Sequence, residues 1–186
     1  MDSINFTANH IRNVTIAKKY YNKYKPCKVS LVEMDAASKR DMKVISDTAD
    51  KWDISFTCFT YEDMVKAHSD PDEFDKLKVY ALTKQKSNFD KMRYSDILGV
   101  IEVRKGYEDG NKIEVLQTNP KFIKEKRNPF PVFKRIGEKL TKYVKREFRK
   151  DPLYVHPAKT AIPFYEKFGF RKSKEASNRW DILPKS

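Results

Sequence analysis

The chemistry most visible in this sequence is anion binding by a concentrated set of cations. Residues 121–150 carry 12 lysines and arginines against three glutamates. This segment holds most of the excess charge of the chain, whose formal net charge is +13 at pH 7. Lysine and arginine form charge-assisted hydrogen bonds with phosphate and carboxylate oxygens. Any bound anion is therefore expected here first, with a solvated lysine-rich helix face as the alternative.

Length and composition indicate a single folded domain. The 186 residues are 39% hydrophobic and 13% aromatic, which is enough for a substantial core. No stretch reaches the roughly 18 apolar residues of a membrane span, and the N-terminus lacks the apolar segment of a secretion signal. We therefore expect a cytoplasmic protein without a membrane role, in which Cys27 and Cys58 are free, buried thiols. The three histidines are far apart and no CxxC occurs, so no metal site is expected.

The elements that must position these groups follow the order β-α-α-β-β-β-α-β-α-β-β. This order predicts a mixed α/β fold. In the first half of the chain, periodicity and turn residues predict a basic N-terminal helix over 9–24, a strand over 27–34, a helix capped by Asp35 and a helix from near Thr60. Strands follow over 76–84, 96–105 and 111–119. The last part is predicted to form a basic amphipathic helix over 131–150, a strand over 152–157, a helix ended by Gly169 and a final strand pair.

The end of this pattern, YVHPAKTAIPFYEKFGF, resembles the GNAT superfamily of N-acetyltransferases. The final motif of that family, A-x-x-F-Y-x-x-x-G-F, is complete here as Ala161, Phe164, Tyr165, Gly169 and Phe170. The segments ILGVIEV, IEVLQTNP and RIGEKLTKYV are similar to the third strand, the fourth strand and the acetyl-CoA-binding helix of the family. The resemblance implies a mostly antiparallel sheet flanked by helices. It also implies an acetyltransferase domain over 27–186, preceded by the basic helical extension 1–26.

The resemblance places the pyrophosphate of acetyl-CoA at the start of the helix in 131–150. The family motif there is Gln/Arg-x-x-Gly-x-Gly/Ala, and alignment on Gly137 leaves Arg135 at the position of the first glycine. A helix N-terminus still offers unpaired N–H groups to an anion, and Lys134, Arg135 and Lys139 add charge. The cofactor-binding residues expected here are Lys134, Arg135, Ile136, Gly137, Glu138 and Lys139. Ala158 stands where the family commonly has an asparagine near CoA.

The resemblance also suggests catalytic roles. Tyr165 is the implied proton donor to the CoA sulfur, and a core aromatic with a hydrated hydroxyl is the alternative. Backbone N–H groups of Leu116, Gln117 and Thr118 would stabilise the acetyl oxyanion and hold pantetheine. Glu114 is a candidate general base or a solvent-facing strand carboxylate. His156 is the rival base, since an imidazole titrates near neutrality.

The acceptor is expected to be a small-molecule or lysine-type primary amine. Acidic residues in the segments TYEDM and SDPDEFD favour a cationic amine over an RNA-linked one. Two other functions stay open: a GNAT-like domain that binds CoA without catalysis, and a basic nucleic-acid-associated protein. A monomer and a homodimer are both compatible with the sequence.

Overall fold

The computed structural model describes residues 7–52, 55–107, 110–123, 129–174 and 176–184. The strands are β1 (Asn9–Tyr20), β2 (Lys23–Met34), β3 (Leu77–Thr83), β4 (Ile97–Tyr107), β5 (Gly110–Thr118), β6 (Phe133–Lys134), β7 (Leu153–Val155), β8 (Arg171–Lys172) and β9 (Trp180–Ile182). The helices are α1 (Lys39–Trp52), α2 (Ser55–Ser69), α3 (Pro71–Lys76), α4 (Ile136–Glu147) and α5 (Ile162–Lys167).

The nine strands form one sheet in the order β6-β1-β2-β3-β4-β5-β7-β9-β8. The pairings are antiparallel except for the one between β5 and β7, which is parallel. A parallel neighbour requires a crossover, and the chain makes that crossover through α4. The expected mixed, mostly antiparallel sheet is confirmed.

The helices cover both faces of the sheet, because the central strands bury alternate residues on opposite sides. In β3, Leu82 packs with α4 and α5, whereas the neighbouring Ala81 packs with α1 and α2. The stripe expected on the basic helix is buried on the first face: Phe133, Ile136, Leu140, Val144 and Phe148. The end of α4 that was expected to bind an anion is thereby fixed against the sheet.

The N-terminal helix expected over 9–24 is wrong, because these residues form β1 and the start of β2. The two strands pair from Asn9↔Glu33 to Tyr20↔Lys23. Val14, Thr15 and Ile16 are β-branched, which favours a strand. Val14 and Ile16 lie on one face of β1, and the exposed Asn13 and Thr15 lie on the other. The boundary expected between residues 26 and 27 lies inside β2, and residues 1–6 lie outside the described part of the chain.

Smaller expectations also change. Ser38, and not Asp35, accepts the bond from the Asp41 N–H at the start of α1, while Asp35 accepts from Ala37 N–H in the preceding turn. Residues 71–76, for which the sequence predicted no helix, form α3 with Asp70 as its N-cap. Both cysteines are free as expected, but Cys58 is exposed and Cys27 half-buried. Among the helices that the structure describes, none is long and apolar enough to span a membrane.

Candidate active site

The central feature of the site is a gap that opens between β5 and β7. The two strands pair only from Asn111↔Leu153 to Ile113↔Val155, while β5 continues along β4 to Thr118. Asn119 N–H donates to Leu98 O of β4. Because N–H groups alternate between the two edges of a strand, those of Thr118 and Leu116 face the gap. The N–H of Gln117 faces β4, so only two of the three expected main-chain donors point into the gap.

Glu114 lies where this gap begins. Val103 pairs with Ile113 and Glu102 pairs with Val115, so Glu114 is the extra residue of a β-bulge. A bulge re-aims a side chain and ends regular pairing, and bulges are common next to active sites. One carboxylate oxygen of Glu114 lies 2.8 Å from Lys112 Nζ. The sequence could not indicate this bulge, because it depends on the register between β4 and β5.

Glu114 also lines a cavity of about 540 Å³ between α2, α3 and the sheet. This cavity, called here the acidic cavity, is lined by Phe59, Glu62, Asp63, Lys66, Glu73, Arg104, Glu114 and Val115. Its wall carries four carboxylates against two cations. The segments TYEDM and SDPDEFD therefore do meet at one place, as their Glu62, Asp63 and Glu73 side chains show.

A buried charge network underlies the acidic cavity and was not foreseen from the sequence. The Arg104 guanidinium bonds to Glu73, and it lies 2.6 Å from Asp63. Below it Glu102 is fully buried, and neither of its carboxylate oxygens has a hydrogen-bond partner that meets normal geometry. Burial and the nearby Asp63 raise the pKa of Glu102 well above its usual range. The sequence feature that could have indicated this charge network is the polar pair Glu102 and Arg104 inside the apolar strand ILGVIEVRK.

His156 follows β7 directly and is exposed. Partial burial and the charge of Lys112 lower the pKa of its imidazole, while Glu114 opposes the shift. Both candidate bases therefore lie at the same end of the gap, within electrostatic reach of one another. Ala158 is exposed on the following turn, where its carbonyl accepts a bond from Ala161 N–H.

The start of α4 forms the second part of the site. Arg135 precedes the helix with φ 71° and ψ 18°, in the left-handed region that glycine adopts most easily. The backbone therefore keeps the shape expected for the first glycine of the family motif, although the residue is an arginine. This conformation supports the alignment on Gly137. Gly99 allows the close packing behind it, since an added Cβ would lie 2.5 Å from Ile136 Cγ2.

A cleft of about 410 Å³ opens at this helix start. It is lined by Thr118, Phe122, Ile123, Phe133, Lys134, Arg135, Ile136, Gly137, Glu138, Phe164, Lys167 and Phe168. Thr118 belongs both to this cleft and to the gap strand β5, so the two openings meet. Of the expected cofactor residues, Thr118 and residues 134–138 line the cleft, whereas Leu116, Gln117, Lys139, Ala158 and Tyr165 do not. Residues 124–128 lie outside the described part of the chain.

Two of the cations that line the cleft, Arg135 and Lys134, already have partners. Arg135 donates to Glu138 through Nε at 3.1 Å and Nη2 at 2.6 Å, and Lys142 Nζ lies 3.0 Å from the same carboxylate. The Arg135 hydrogen bonds are the main reason why the pKa of Glu138 falls to about 2. Lys134 Nζ stands 3.7 Å from the centre of the Tyr24 ring. An incoming diphosphate would therefore compete with Glu138 for Arg135.

Tyr165 is fixed by the end of α5. Phe170 N–H bonds to Tyr165 O and Gly169 N–H bonds to Glu166 O, which is a Schellman motif with Gly169 at φ 88°. The hydrophobic contact of that motif is the edge-to-face pair of Tyr165 and Phe170, 5.4 Å apart. Tyr165 is 5% exposed, and burial raises the pKa of its phenol well above 10. Because of this raised pKa the hydroxyl stays protonated, and it has no hydrogen-bond partner among the described residues.

A mostly antiparallel sheet with one splayed parallel strand pair beside the start of a helix is the arrangement of an acetyltransferase fold. Residues 65–182 match the family described as Acetyltransferase (GNAT) domain, and the chain belongs to that family. The structure is similar to a GNAT-family acetyltransferase from Staphylococcus aureus Mu50, with 16% identity over 84% of this chain and 99% of that chain and a TM-score of 0.53. It is also similar to Tetrahymena GCN5, with 16% identity over 80% of this chain and 91% of that chain and a TM-score of 0.50. No curated protein matches the sequence significantly.

Proposed function

We propose that this protein transfers an acetyl group from acetyl-CoA directly to a primary amine. The observation that carries the proposal is the junction at Thr118, where the gap beside β5 meets the cleft at the start of α4. In this proposal, an extended thioester with a diphosphate at one end spans the gap and the cleft. Acetyl-CoA is the co-substrate, with its pyrophosphate at residues 134–138 and its thioester beside Leu116 and Thr118.

Three groups would perform the chemistry. Glu114 or His156 removes a proton from the acceptor amine, and the amine then attacks the thioester carbonyl. The N–H groups of Leu116 and Thr118 stabilise the negative charge that develops on the carbonyl oxygen. Tyr165 donates its proton to the departing thiolate. No enzyme-bound acyl intermediate is required.

The acidic cavity supports a cationic acceptor. Four carboxylates line it against two cations, and Glu114 connects it to the start of the gap. An ammonium group would be attracted to this wall and would lose its proton on reaching the base. We therefore propose a polyamine-like or lysine-type amine as the acceptor.

One observation favours a second function, a domain that binds CoA without catalysing transfer. Arg135 stands at a glycine position of the family motif, and its ion-pair partner Glu138 lies in the first turn of α4. A carboxylate at this position repels a diphosphate. If that repulsion prevents productive binding, the domain would act as a weak CoA sensor.

Activity with a panel of amines, measured as CoA released and acetylated product formed, tests the proposal. Glu114→Gln should lower kcat with little change in acetyl-CoA affinity. Glu33→Gln is the matched control, because Glu33 is also a strand carboxylate 2.8 Å from a lysine, Lys78. Equal activity in both variants would remove Glu114 from the mechanism and leave His156. CoA binding without turnover of any amine would establish the second function.

A further inference from the structure

The N-terminal hairpin carries a surface that the acetyltransferase site does not use. β2 pairs with β3 only from Ser30 onward, so residues 15–28 of the β1–β2 hairpin extend beyond the neighbouring strand. We call residues 15–28 the hairpin arm. It lies outside residues 65–182, which match the acetyltransferase family.

The hairpin arm carries several lysines and no acidic residue that could balance their charge. It contains five lysines, and residues 7–28 contain no aspartate or glutamate. Lys18 pairs directly with Lys25 across the two strands. Like charges placed opposite each other destabilise a strand pair. The arm therefore has an electrostatic cost that a polyanion would relieve.

Exposed aromatic rings lie among these lysines. Tyr21 at the turn is 97% exposed, Tyr20 is 43% exposed and Phe130 beside them is 62% exposed. Lys18 Nζ lies 5.1 Å from the Tyr20 ring centre, and Lys19 Nζ lies 5.1 Å from that of Phe130. Flat exposed rings beside cations are the arrangement that binds bases by stacking and phosphates by charge.

The hairpin arm is also held in place. Lys19 N–H donates to Val132 O, Tyr24 hydroxyl donates to Pro131 O at 2.8 Å, and β6 pairs with Ala17 and Lys18. These bonds order the backbone of both strands before any ligand arrives, which lowers the entropy lost on binding.

We propose that the hairpin arm, with Phe130, binds single-stranded nucleic acid. Stacking on Tyr20, Tyr21 and Phe130 selects unpaired bases, since duplex bases are not available to protein rings. The lysines contact the phosphates between the stacked bases. The binding is expected to depend strongly on salt and weakly on sequence.

Fluorescence anisotropy with labelled oligo(U) and oligo(dT) of about 15 nucleotides tests the proposal on the full chain. Tyr21→Asn removes the ring but suits the turn, because asparagine tolerates the left-handed conformation that Tyr21 adopts at φ 52°. The loss of one stacked base should weaken binding about fivefold or more. An unchanged affinity, with a folded variant shown by an unchanged melting temperature, would contradict the stacking role.

The charge contribution is tested by two matched triple variants. Lys23, Lys25 and Lys28 are exposed on the arm, and Arg146, Arg149 and Lys150 are exposed at the far end of α4. Changing the first set to glutamine should weaken binding about 10- to 100-fold and lower the salt slope by about 2. Changing the second set to glutamine should alter the affinity for the oligonucleotide about threefold or less. Equal losses would mean that only the net charge matters.

Three competitors decide the nature of the ligand. A duplex of the same length and inorganic polyphosphate should both compete more weakly than the single strand, and saturating acetyl-CoA should leave binding unchanged. Stronger competition by the duplex or by polyphosphate would overturn the preference for unpaired bases. Competition by acetyl-CoA would assign the arm to the co-substrate.

Discussion

Glu138→Gln is the substitution that most directly tests whether the start of α4 binds a diphosphate. The carboxylate of Glu138 holds Arg135 and Lys142, and it lies in the first turn of the helix. Replacing it with glutamine removes a negative charge from the cleft and releases Arg135. We expect tighter acetyl-CoA binding and a modest loss of stability.

The gain in affinity follows from Coulomb's law. A unit charge about 7 Å from a diphosphate of charge −2 interacts with it by about 1 kcal/mol at the dielectric constant of water. Removal of that repulsion corresponds to about a fivefold lower Kd for acetyl-CoA. Isothermal titration at low and high salt measures it, and the gain should shrink at high salt.

The loss of stability expected for Glu138→Gln is limited because the partners of Glu138 are exposed to solvent. A pKa of about 2 instead of 4.5 would correspond to about 3 kcal/mol if it were fully expressed. The partner side chains are 52% and 55% exposed, and exposed ion pairs contribute about 0.2–1 kcal/mol. We therefore expect a loss of about 1 kcal/mol. Because the pKa is lowered in the native state, the stabilisation is complete above about pH 4.5 and is lost as the pH falls through about 2.

Glu147→Gln is the control, since it makes the same charge change at the other end of α4. Nine residues of helix separate the two positions by about 14 Å, which exceeds the screening length of about 10 Å at 0.1 M salt. The control should leave acetyl-CoA affinity unchanged. If Glu138→Gln binds acetyl-CoA equally or more weakly, the pyrophosphate does not lie at the start of α4.

Three further predictions follow from single residues. Tyr165→Phe should lower kcat about 10²- to 10⁴-fold, with unchanged acetyl-CoA affinity and thermal stability; an unchanged kcat would make Tyr165 a packing residue. Gly99→Ala should lower the free energy of unfolding by about 1–3 kcal/mol, because its Cβ would press on Ile136. Gly137→Ala is its control, since that Cβ would make only ordinary contacts from 3.6 Å. Burial raises the pKa of Asp41 to about 6, so native stability falls as the pH rises from about 4 to 6. Asp41→Asn should therefore be more stable at pH 8 by up to about 3 kcal/mol, but not at pH 4, in denaturant titrations. Lower stability of the variant at pH 8 would refute that reasoning.

Some parts of the site were accessible to sequence reasoning because local chemistry determines them. Gly169 ends α5 in a left-handed conformation, which only a glycine adopts readily. The stripe Ile136, Leu140 and Val144 follows the helical period and is buried as that period requires. These elements include Tyr165 on α5 and the amphipathic helix α4, although α4 spans Ile136–Glu147 and is shorter than the expected 131–150.

Other parts depend on pairing between distant segments. The run KKYYNKYK, residues 18–25, crosses the turn from β1 to β2, and its lysines suit a basic helix as well as an exposed hairpin. Eleven residue pairs between β1 and β2 decide the outcome. The bulge at Glu114 exists only relative to the register of β4. The left-handed conformation of Arg135 is likewise set by the tertiary structure, because an arginine has no preference for it.

The positions of the cations change the interpretation of the net charge. The high density over 121–150 suggested that the positive field serves the co-substrate. At the start of α4, however, Arg135 is paired with Glu138 and Lys134 lies over Tyr24. Arg146, Arg149 and Lys150 lie at the opposite end of the helix, beside a separate cavity of about 900 Å³. The lysines of the hairpin arm form a third group. The arm lies next to the start of α4, since Lys134 pairs with Ala17 and lies over the Tyr24 ring. The two ends of α4 are about 14 Å or more apart, which exceeds the screening length of about 10 Å, so the cations at these two ends act separately. The net charge of +13 is therefore not concentrated at the cleft beside the start of α4, and local pairing determines what each group can bind.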